Sequence, residues 1–388
     1  MARTAFIYSS ALAEFKARPG YPWIFDRTEK TYRLCDELGL FDPDHTRVHH
    51  AVKASRADLL TYHTSRYIGL LEEANQGVAR QQWLRYGLGT TECPVYPGVF
   101  DYHRLAAGCT LKGVSLIEQG KAQRVFNPTG GFHHAGKDFA AGFCYVNDAV
   151  LAIKNWRRQK KRVLYVDIDA HHGDQVQEAF YDTDQVMTIS FHESGTTLYP
   201  FKTGFEHEIG KGRGKGYAVN VPMPENTPDE PFLWAFDRVF PPLARAFCPD
   251  VVVATLGADS LFSDPLSHLQ LTNNALAKAL ETIVSVSPKL LLLGGGGYEA
   301  DGLARAWARA WAILSDRTLE AQDTVQFGGM FWGDGLAALN DRPRFVSEKT
   351  RNKVKKALGH VVRTIENNVF PRFGPLAREP KRGRSMAS

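Results

Sequence analysis

One stretch constrains this chain more than any other. It runs from Val163 to Asp174, Val-Leu-Tyr-Val-Asp-Ile-Asp-Ala-His-His-Gly-Asp. Four apolar or aromatic residues in succession suit a strand buried on both faces of a parallel sheet. They lead straight into Asp167, Asp169, His171, His172 and Asp174, a cluster that an apolar core does not hold. Alternate residues of extended chain share a face, so Asp167, Asp169 and His171 fall on one side, and Asp169 and His171 can reach one cation together. Carboxylate with imidazole suits zinc or another first-row divalent metal, and a parallel sheet presents ligands at the carboxyl ends of its strands. A solvated acidic loop is the ordinary reading of one such residue; a cluster of five makes it the minor alternative.

Around this stretch strands and helices alternate, the pattern of a doubly wound α/β fold: a mainly parallel multi-stranded sheet with helices on both faces. Strands are predicted at Thr4 to Tyr8, Gln123 to Phe126, Val163 to Ile168, Val186 to Phe191, Val251 to Leu256 and Leu290 to Leu293. Helices are predicted at Thr28 to Leu38, Asp58 to Asn75, Phe100 to Glu118, Phe232 to Phe247, Asn273 to Val284 and Asp301 to Leu314. The 388 residues, 44% hydrophobic, suffice for one large core, and a single domain over 1–376 is the simplest division. Residues 377–388 read as a basic, disordered tail.

No apolar run approaches the roughly 18 residues that a membrane span needs, and the first residues read as a strand without a signal-peptide core, so a cytoplasmic protein is expected. The five cysteines, Cys35, Cys93, Cys109, Cys144 and Cys248, are scattered and never spaced Cys-x-x-Cys. That spacing argues against a disulfide framework and against a thiolate zinc site. A formal net charge of +5 is modest for this length. Its local basic clusters read as solvated helix ends, and no direct contact with nucleic acid is expected.

Three further stretches carry chemistry, each where a strand ends. After the Gln123 strand comes Asn127-Pro-Thr-Gly-Gly-Phe-His-His-Ala-Gly-Lys, which presents His133 and His134 from a glycine-rich turn. After the Val251 strand comes Gly257-Ala-Asp-Ser, placing Asp259 where a third metal ligand would be needed, although an aspartate there could equally cap the next helix. After the Leu290 strand come Gly294 to Gly297 and then Tyr298, and four consecutive glycines imply a close approach to the backbone. Neither this run nor Gly210 to Gly216 has the spacing of a phosphate-binding loop. Two carboxylates and one imidazole leave a coordination position open, the mark of a catalytic metal site. Asp167 and Asp174 remain to orient the paired histidines, and a tyrosine hydroxyl could stabilise an oxyanion. Hydrolysis of an amide or ester is the chemistry implied.

From Thr4 to Leu314 the chain resembles the zinc-dependent histone deacetylase superfamily, of the arginase/deacetylase fold. It is most similar to the class I branch and the bacterial acetoin-utilisation-type deacetylases. The resemblance rests on Gly130-Gly-Phe-His-His-Ala, Gly142-Phe-Cys-Tyr-Val-Asn-Asp, Tyr165-Val-Asp-Ile-Asp-Ala-His-His-Gly-Asp, Ser190-Phe-His-Glu, Gly257-Ala-Asp-Ser and Gly294-Gly-Gly-Gly-Tyr, all in family order. It implies removal of acetyl or other acyl groups from lysine side chains of peptides or proteins. It makes Asp169, His171 and Asp259 the ligands of zinc or ferrous iron, His134 the general base paired with Asp174, and His133 its partner, paired with Asp167. Tyr298 would hydrogen-bond the carbonyl and then the oxyanion. Phe143 and Tyr199 would wall a narrow tunnel with Gly142 along it and Leu266 at its rim, although simple core packing would also explain the two rings. Structural potassium would be held by Asp167 and Ser190 with backbone oxygens of Asp169, His171 and Phe191, and at a second site by backbone oxygens of Phe180, Thr183, Val186 and Tyr217.

The chain departs from the family pattern at several points. Glu92 stands where class I members carry a shorter acid at the rim, Tyr199 where Phe is common, and Pro265 where an inositol-phosphate-binding arginine is found. The segment Tyr21 to Arg27 replaces the usual His-Pro opening of bacterial members, though Arg27 is placed like the arginine of the acetate exit channel. An acetylpolyamine amidohydrolase is the alternative within the superfamily. A binuclear manganese ureohydrolase would need a second aspartate at position 261, which is Leu, and a non-catalytic acetyl-lysine binder would predict a broken site. The sequence leaves the oligomeric state open.

Overall fold

Strand β4, Val163–Asp167, is buried at all five positions, and its neighbour β5, Val186–Glu193, at all eight. A computed structural model describes residues 3–16, 20–286, 289–317 and 339–377; all of the expected basic tail beyond residue 377 lies outside the described residues. Eight strands form one parallel sheet in the order β2-β1-β3-β8-β7-β4-β5-β6. They are β1 Thr4–Ile7, β2 Thr46–His49, β3 Arg124–Asn127, β4, β5, β6 Ala218–Met223, β7 Val251–Thr255 and β8 Leu290–Leu293. The chain builds its flanks first and fills the centre last, because β7 and β8 insert between β4 and β3.

Continuous apolar runs bury both faces of these strands, and the two faces meet different helices. Leu164 and Val166 of β4 point into one core with Phe6, Leu292 and the apolar faces of α1 Arg27–Glu37, α7 Asp229–Phe247, α8 Asn273–Val286, α9 Ala300–Leu314 and α10 Glu348–Asn368. Val163 and Tyr165 point the other way, against α2 Arg56–Leu59, α3 Ser65–Ala74, α4 Val99–Glu118, α5 Asp148–Arg158 and α6 Asp174–Ala179. The arrangement is the three-layer α/β sandwich expected from the sequence, with the loops of the central strands gathered at their carboxyl ends. Among the described residues no helix is long and apolar enough to cross a membrane. Cys35, Cys93, Cys109 and Cys144 are buried free thiols, and Cys248 is exposed.

Three local expectations change. The helix predicted over Asp58 to Asn75 is two, α2 and α3, each with its own N-cap: Ser55 forms a capping box with Asp58, and Thr64 accepts from the Tyr67 N–H. The break is held by buried His63, whose Nε2 accepts the Asn147 N–H at 3.1 Å. Strands β2 and β6 were not predicted. Both lie at sheet edges; β2 is largely polar and partly exposed, and β6 carries Pro222, a residue that reads against a strand interior yet is tolerated at an edge. Helix α10 also went unforeseen. Its basic residues face solvent or Glu230, while Val354, Leu358, Val362 and Ile365 are buried.

Candidate active site

Strands β3, β8, β7, β4 and β5 are neighbours, and each ends in a loop that supplies a functional group. Past the end of β4, Asp169 and His171 meet Asp259, which follows β7 in the short turn Ala258–Ser260. One ligand atom from each lies within 4.8 Å of the other two. The Nδ1 atom of His171 is 2.9 Å from Oδ2 of Asp259 and 3.2 Å from Oδ1 of Asp169. Among the described residues no other three such donors converge this closely. Backbone amides hold the carboxylates in place: Asp169 Oδ2 accepts the Gly296 N–H at 2.6 Å, and Asp259 Oδ1 accepts the Ala170 N–H at 2.9 Å. A Cβ at position 296 would lie 1.9 Å from Asp259 Oδ2, so the glycine run after β8 lets that loop close over the acids.

The donor set fits a divalent metal. Both acids are buried, and their ion-pair partners among the described residues are the imidazoles of His171 and, for Asp169, His133 at 3.9 Å. Burial works against a charged imidazole, yet the hydrogen bonds and charges of Asp169 and Asp259 outweigh it and lift His171 to about 10. Burial and the Asp169 charge push Asp259 upward in turn. Two buried carboxylates this close favour a positive charge between them, and two oxygens with one nitrogen leave room in a tetrahedral shell for water or substrate. Leu261 is buried in the apolar core and supplies no ligand for a second ion.

The paired histidines behave differently from each other. His133 Nδ1 lies 2.8 Å from Asp167 Oδ2, His134 Nδ1 lies 2.8 Å from Asp174 Oδ1, and the two Nε2 atoms are 3.0 Å apart. Burial opposes charge on His133, but the surrounding carboxylates, led by Asp167 and Asp169, raise it to about 9. Burial and repulsion from His133 lower His134 to about 4 despite Asp174. The two rings are thus pushed in opposite directions, His133 toward the charged form and His134 toward the neutral one, the kind of separation by which two like groups can divide acid and base work. Their loop is tied down by two residues to which no role was given in the sequence. Asn147 Nδ2 donates to the carbonyls of His133 and Ala135, and Asp148 accepts the N–H groups of Gly131 and Phe132. They stand beside each other at the start of α5, where a polar pair reads as an ordinary helix cap.

A cavity of about 20 Å³ is lined by Trp23, His133, His134, His171, Gly296 and Tyr298 among others, and holds about one water. Two of its lining residues carry further aromatic contacts: Phe143 faces Tyr298 at 5.6 Å between ring centroids, and Tyr199 packs edge-on against His134 at 5.1 Å. Phe143 has φ of 66°, a left-handed conformation costing a bulky residue about 1 to 2 kcal/mol. Strained backbone of this kind clusters at functional sites, although the Phe143 ring also packs against the apolar core. Gly142, at φ 50°, passes so close that a Cβ would meet His134 Cδ2 at 2.5 Å. Leu266, expected at a rim, is half-buried, and exposed Glu92 accepts the Gly142 N–H at 3.4 Å. No site role was assigned in the sequence to Tyr21, whose ring meets Phe143 edge-on at 5.6 Å, or to Asp264, which accepts the Tyr298 N–H. Arg27 is wholly buried between Trp23 and Trp307 and donates to the Gly295 carbonyl.

Asp167 and Ser190 are paired residues of β4 and β5, so both belong to one small region beside the acids. Phe180, Thr183 and Val186 follow one another from the end of α6 into β5, and the Tyr217 carbonyl accepts the Thr188 N–H next to them.

Comparison with known proteins agrees with this geometry. The family model described as the histone deacetylase domain matches residues 22–314. Histone deacetylase RPD3 of Saccharomyces cerevisiae is 34% identical over 383 residues, covering 98% of this chain and 87% of the yeast protein. Histone deacetylase 8 of Xenopus tropicalis is 37% identical over 298 residues, covering 76% of this chain and 80% of that one. A crystal structure of a histone deacetylase homologue complexed with SAHA superposes with a TM-score of 0.82 at 33% identity, over 94% of this chain and all of the other. With a matching domain over most of its length and the same fold, the chain belongs to the histone deacetylase family.

Proposed function

We propose that this protein is a metal-dependent amidohydrolase that removes acetyl groups from the ε-amino group of lysine in peptides or proteins, as the names of its relatives indicate for them. The observation that carries the reading is the pair of histidines, each held by its own aspartate and touching each other, set beside the Asp169, His171 and Asp259 cluster with the rings of Phe143, Tyr199 and Tyr298 close by. Zinc, or ferrous iron in its place, suits the donor set. Bound there, such an ion polarises the substrate carbonyl and lowers the pKa of a water.

The protein's own groups do the remaining work. Phe143, Tyr199 and Gly142 exclude solvent from the lysine stem and align the amide with the cavity. His134, neutral and with Nδ1 oriented by Asp174, accepts a proton from the attacking water at Nε2. The Tyr298 hydroxyl, held neutral by its burial, donates to the carbonyl oxygen as negative charge develops on it. The positive charge of His133, kept by Asp167, favours that same charge. When the C–N bond breaks, the histidine pair returns the proton to the leaving amine, giving free lysine and acetate. Leu266 and Glu92 shape the mouth where the rest of the substrate lies.

Potassium is proposed as a structural ion at two places. Asp167 and Ser190, with the carbonyls of Asp169, His171 and Phe191, would form one site; the carbonyls of Phe180, Thr183, Val186 and Tyr217 would form the other. The first draws on the paired strand residues Asp167 and Ser190 and the second on the chain between α6 and β5, and oxygen ligands of this kind are in keeping with a hard cation.

The test is a panel of acetyl-, propionyl- and longer acyl-lysine peptides beside acetylputrescine and acetylspermidine, with metal content defined. Hydrolysis of acetyl-lysine peptides with the highest kcat/KM is expected. Preference for the free polyamines would instead make the protein an acetylpolyamine amidohydrolase.

A further inference from the structure

Tyr298 sits at the end of four glycines, a poor tether for a hydroxyl that must stay aimed at one oxygen. Its side chain makes ring contacts with Trp23 and Phe143, and neither can fix how far the ring reaches along its own axis. The backbone around it is fixed more firmly. On the N-terminal side, the Gly296 N–H is held by Asp169 at 2.6 Å. On the C-terminal side, Glu299 caps α9 by accepting the N–H groups of Asp301 and Gly302. At Tyr298 itself, the N–H donates to Asp264 Oδ2 at 2.6 Å, while Oδ1 of the same carboxylate accepts the Leu266 N–H at 2.9 Å. Asp264 is 6% exposed.

We infer that Asp264 is a positioning residue: its carboxylate locks the tyrosine that meets the substrate carbonyl to the loop that carries the tunnel rim at Leu266. One carboxylate with two acceptor oxygens can satisfy both amides; the amide of asparagine offers one oxygen and turns an N–H₂ toward the other N–H. A group supporting only the fold would lower stability or metal content. Asp264 acts through the reach of one hydroxyl, so its loss lowers kcat and leaves the ground-state contacts of the acyl-lysine stem alone. The inference rests on the deacetylase reading, in which Tyr298 is the oxyanion donor.

The experiment is a double-mutant cycle on the metal-loaded enzyme with an acetyl-lysine peptide: Asp264→Asn and Asp264→Glu, each alone and combined with Tyr298→Phe. Glutamate keeps both acceptors and the charge but displaces them, which guards against a result due only to misfolding. Each single Asp264 variant should lose roughly 10- to 100-fold in kcat, since small misplacements of a catalytic group cost on that order. KM should change less than about threefold. Metal content and the thermal midpoint should stay near wild type. On the Tyr298→Phe background the same substitutions should cost less than about threefold further, because the hydroxyl they position is already gone. Full multiplicative losses on that background, or loss of metal from both Asp264 variants, would overturn the inference while leaving the function intact. A wild-type enzyme that turns over no acyl-lysine substrate would sink the functional reading itself, and this inference with it.

Discussion

The floor and the mouth of the proposed tunnel are built on opposite terms. At the floor, Asp169, Asp259 and both histidines are buried, and their polar atoms meet partners at 2.6 to 3.0 Å supplied by four adjacent strand ends. At the mouth, Glu92 is exposed and holds one amide at 3.4 Å, and Leu266 and Tyr199 are only partly covered. A preorganised floor stabilises developing charge without reorganisation and so fixes the class of reaction. A looser mouth touches whatever surrounds the acyl-lysine and so sorts substrates.

Substitutions at the two ends should therefore differ in size and in kind. The largest loss is expected at the metal ligands. Asp259→Ala or His171→Ala should remove detectable turnover and most of the bound metal, measured by elemental analysis beside an activity assay; full occupancy in both variants would show that other residues hold the ion. Next come the groups that handle charge. Tyr298→Phe should retain fold and metal yet lose about 10² to 10³ in kcat, the usual cost of one oxyanion donor, and His134→Ala should be comparably damaging through loss of the base. Unchanged turnover in either would take that residue out of the mechanism.

How much of this was legible follows the same division. The floor stood out because Asp167, Asp169 and His171 interrupt apolar runs whose period and length had already marked a buried parallel strand. Polar groups are rarely placed there without a reason. Asp259 was ambiguous, since one acid after a strand can as well cap a helix, and the pairing of β7 with β4 brings it beside Asp169 and His171. Asp264, Asn147 and Asp148 were not singled out, because each acts on the backbone of a residue distant in sequence, and no spacing encodes that. The mouth was read through family resemblance: in sequence Phe143 and Tyr199 look like core residues, and only the fold reveals the positive φ of Phe143 and the contact of Tyr199 with His134. Edge strands β2 and β6 escaped because polar residues and Pro222 are what an edge tolerates.

Smaller, substrate-dependent effects are expected at the mouth. A charged acceptor makes hydrogen bonds to peptide N–H groups worth about 1.5 to 3 kcal/mol. Glu92→Gln should thus lower kcat/KM for acetyl-lysine peptides by roughly 10- to 100-fold, with little change for acetylputrescine, which lacks those groups. Equal effects on both, or none, would reduce Glu92 to a solvated loop residue. Smallest of all, Tyr199→Phe should change kcat/KM for acetyl-lysine peptides less than about threefold, because the ring that packs on His134 is kept. A drop beyond tenfold would place the hydroxyl in the chemistry and blur the line between floor and mouth.

The most direct test of a one-metal lysine deacetylase is titration of the metal-stripped enzyme with Zn²⁺, and separately with Fe²⁺, while hydrolysis of an acetyl-lysine peptide is followed. Activity should rise in proportion to added metal and level off at one equivalent per chain. A break at two equivalents, or hydrolysis that does not depend on metal, would contradict the account.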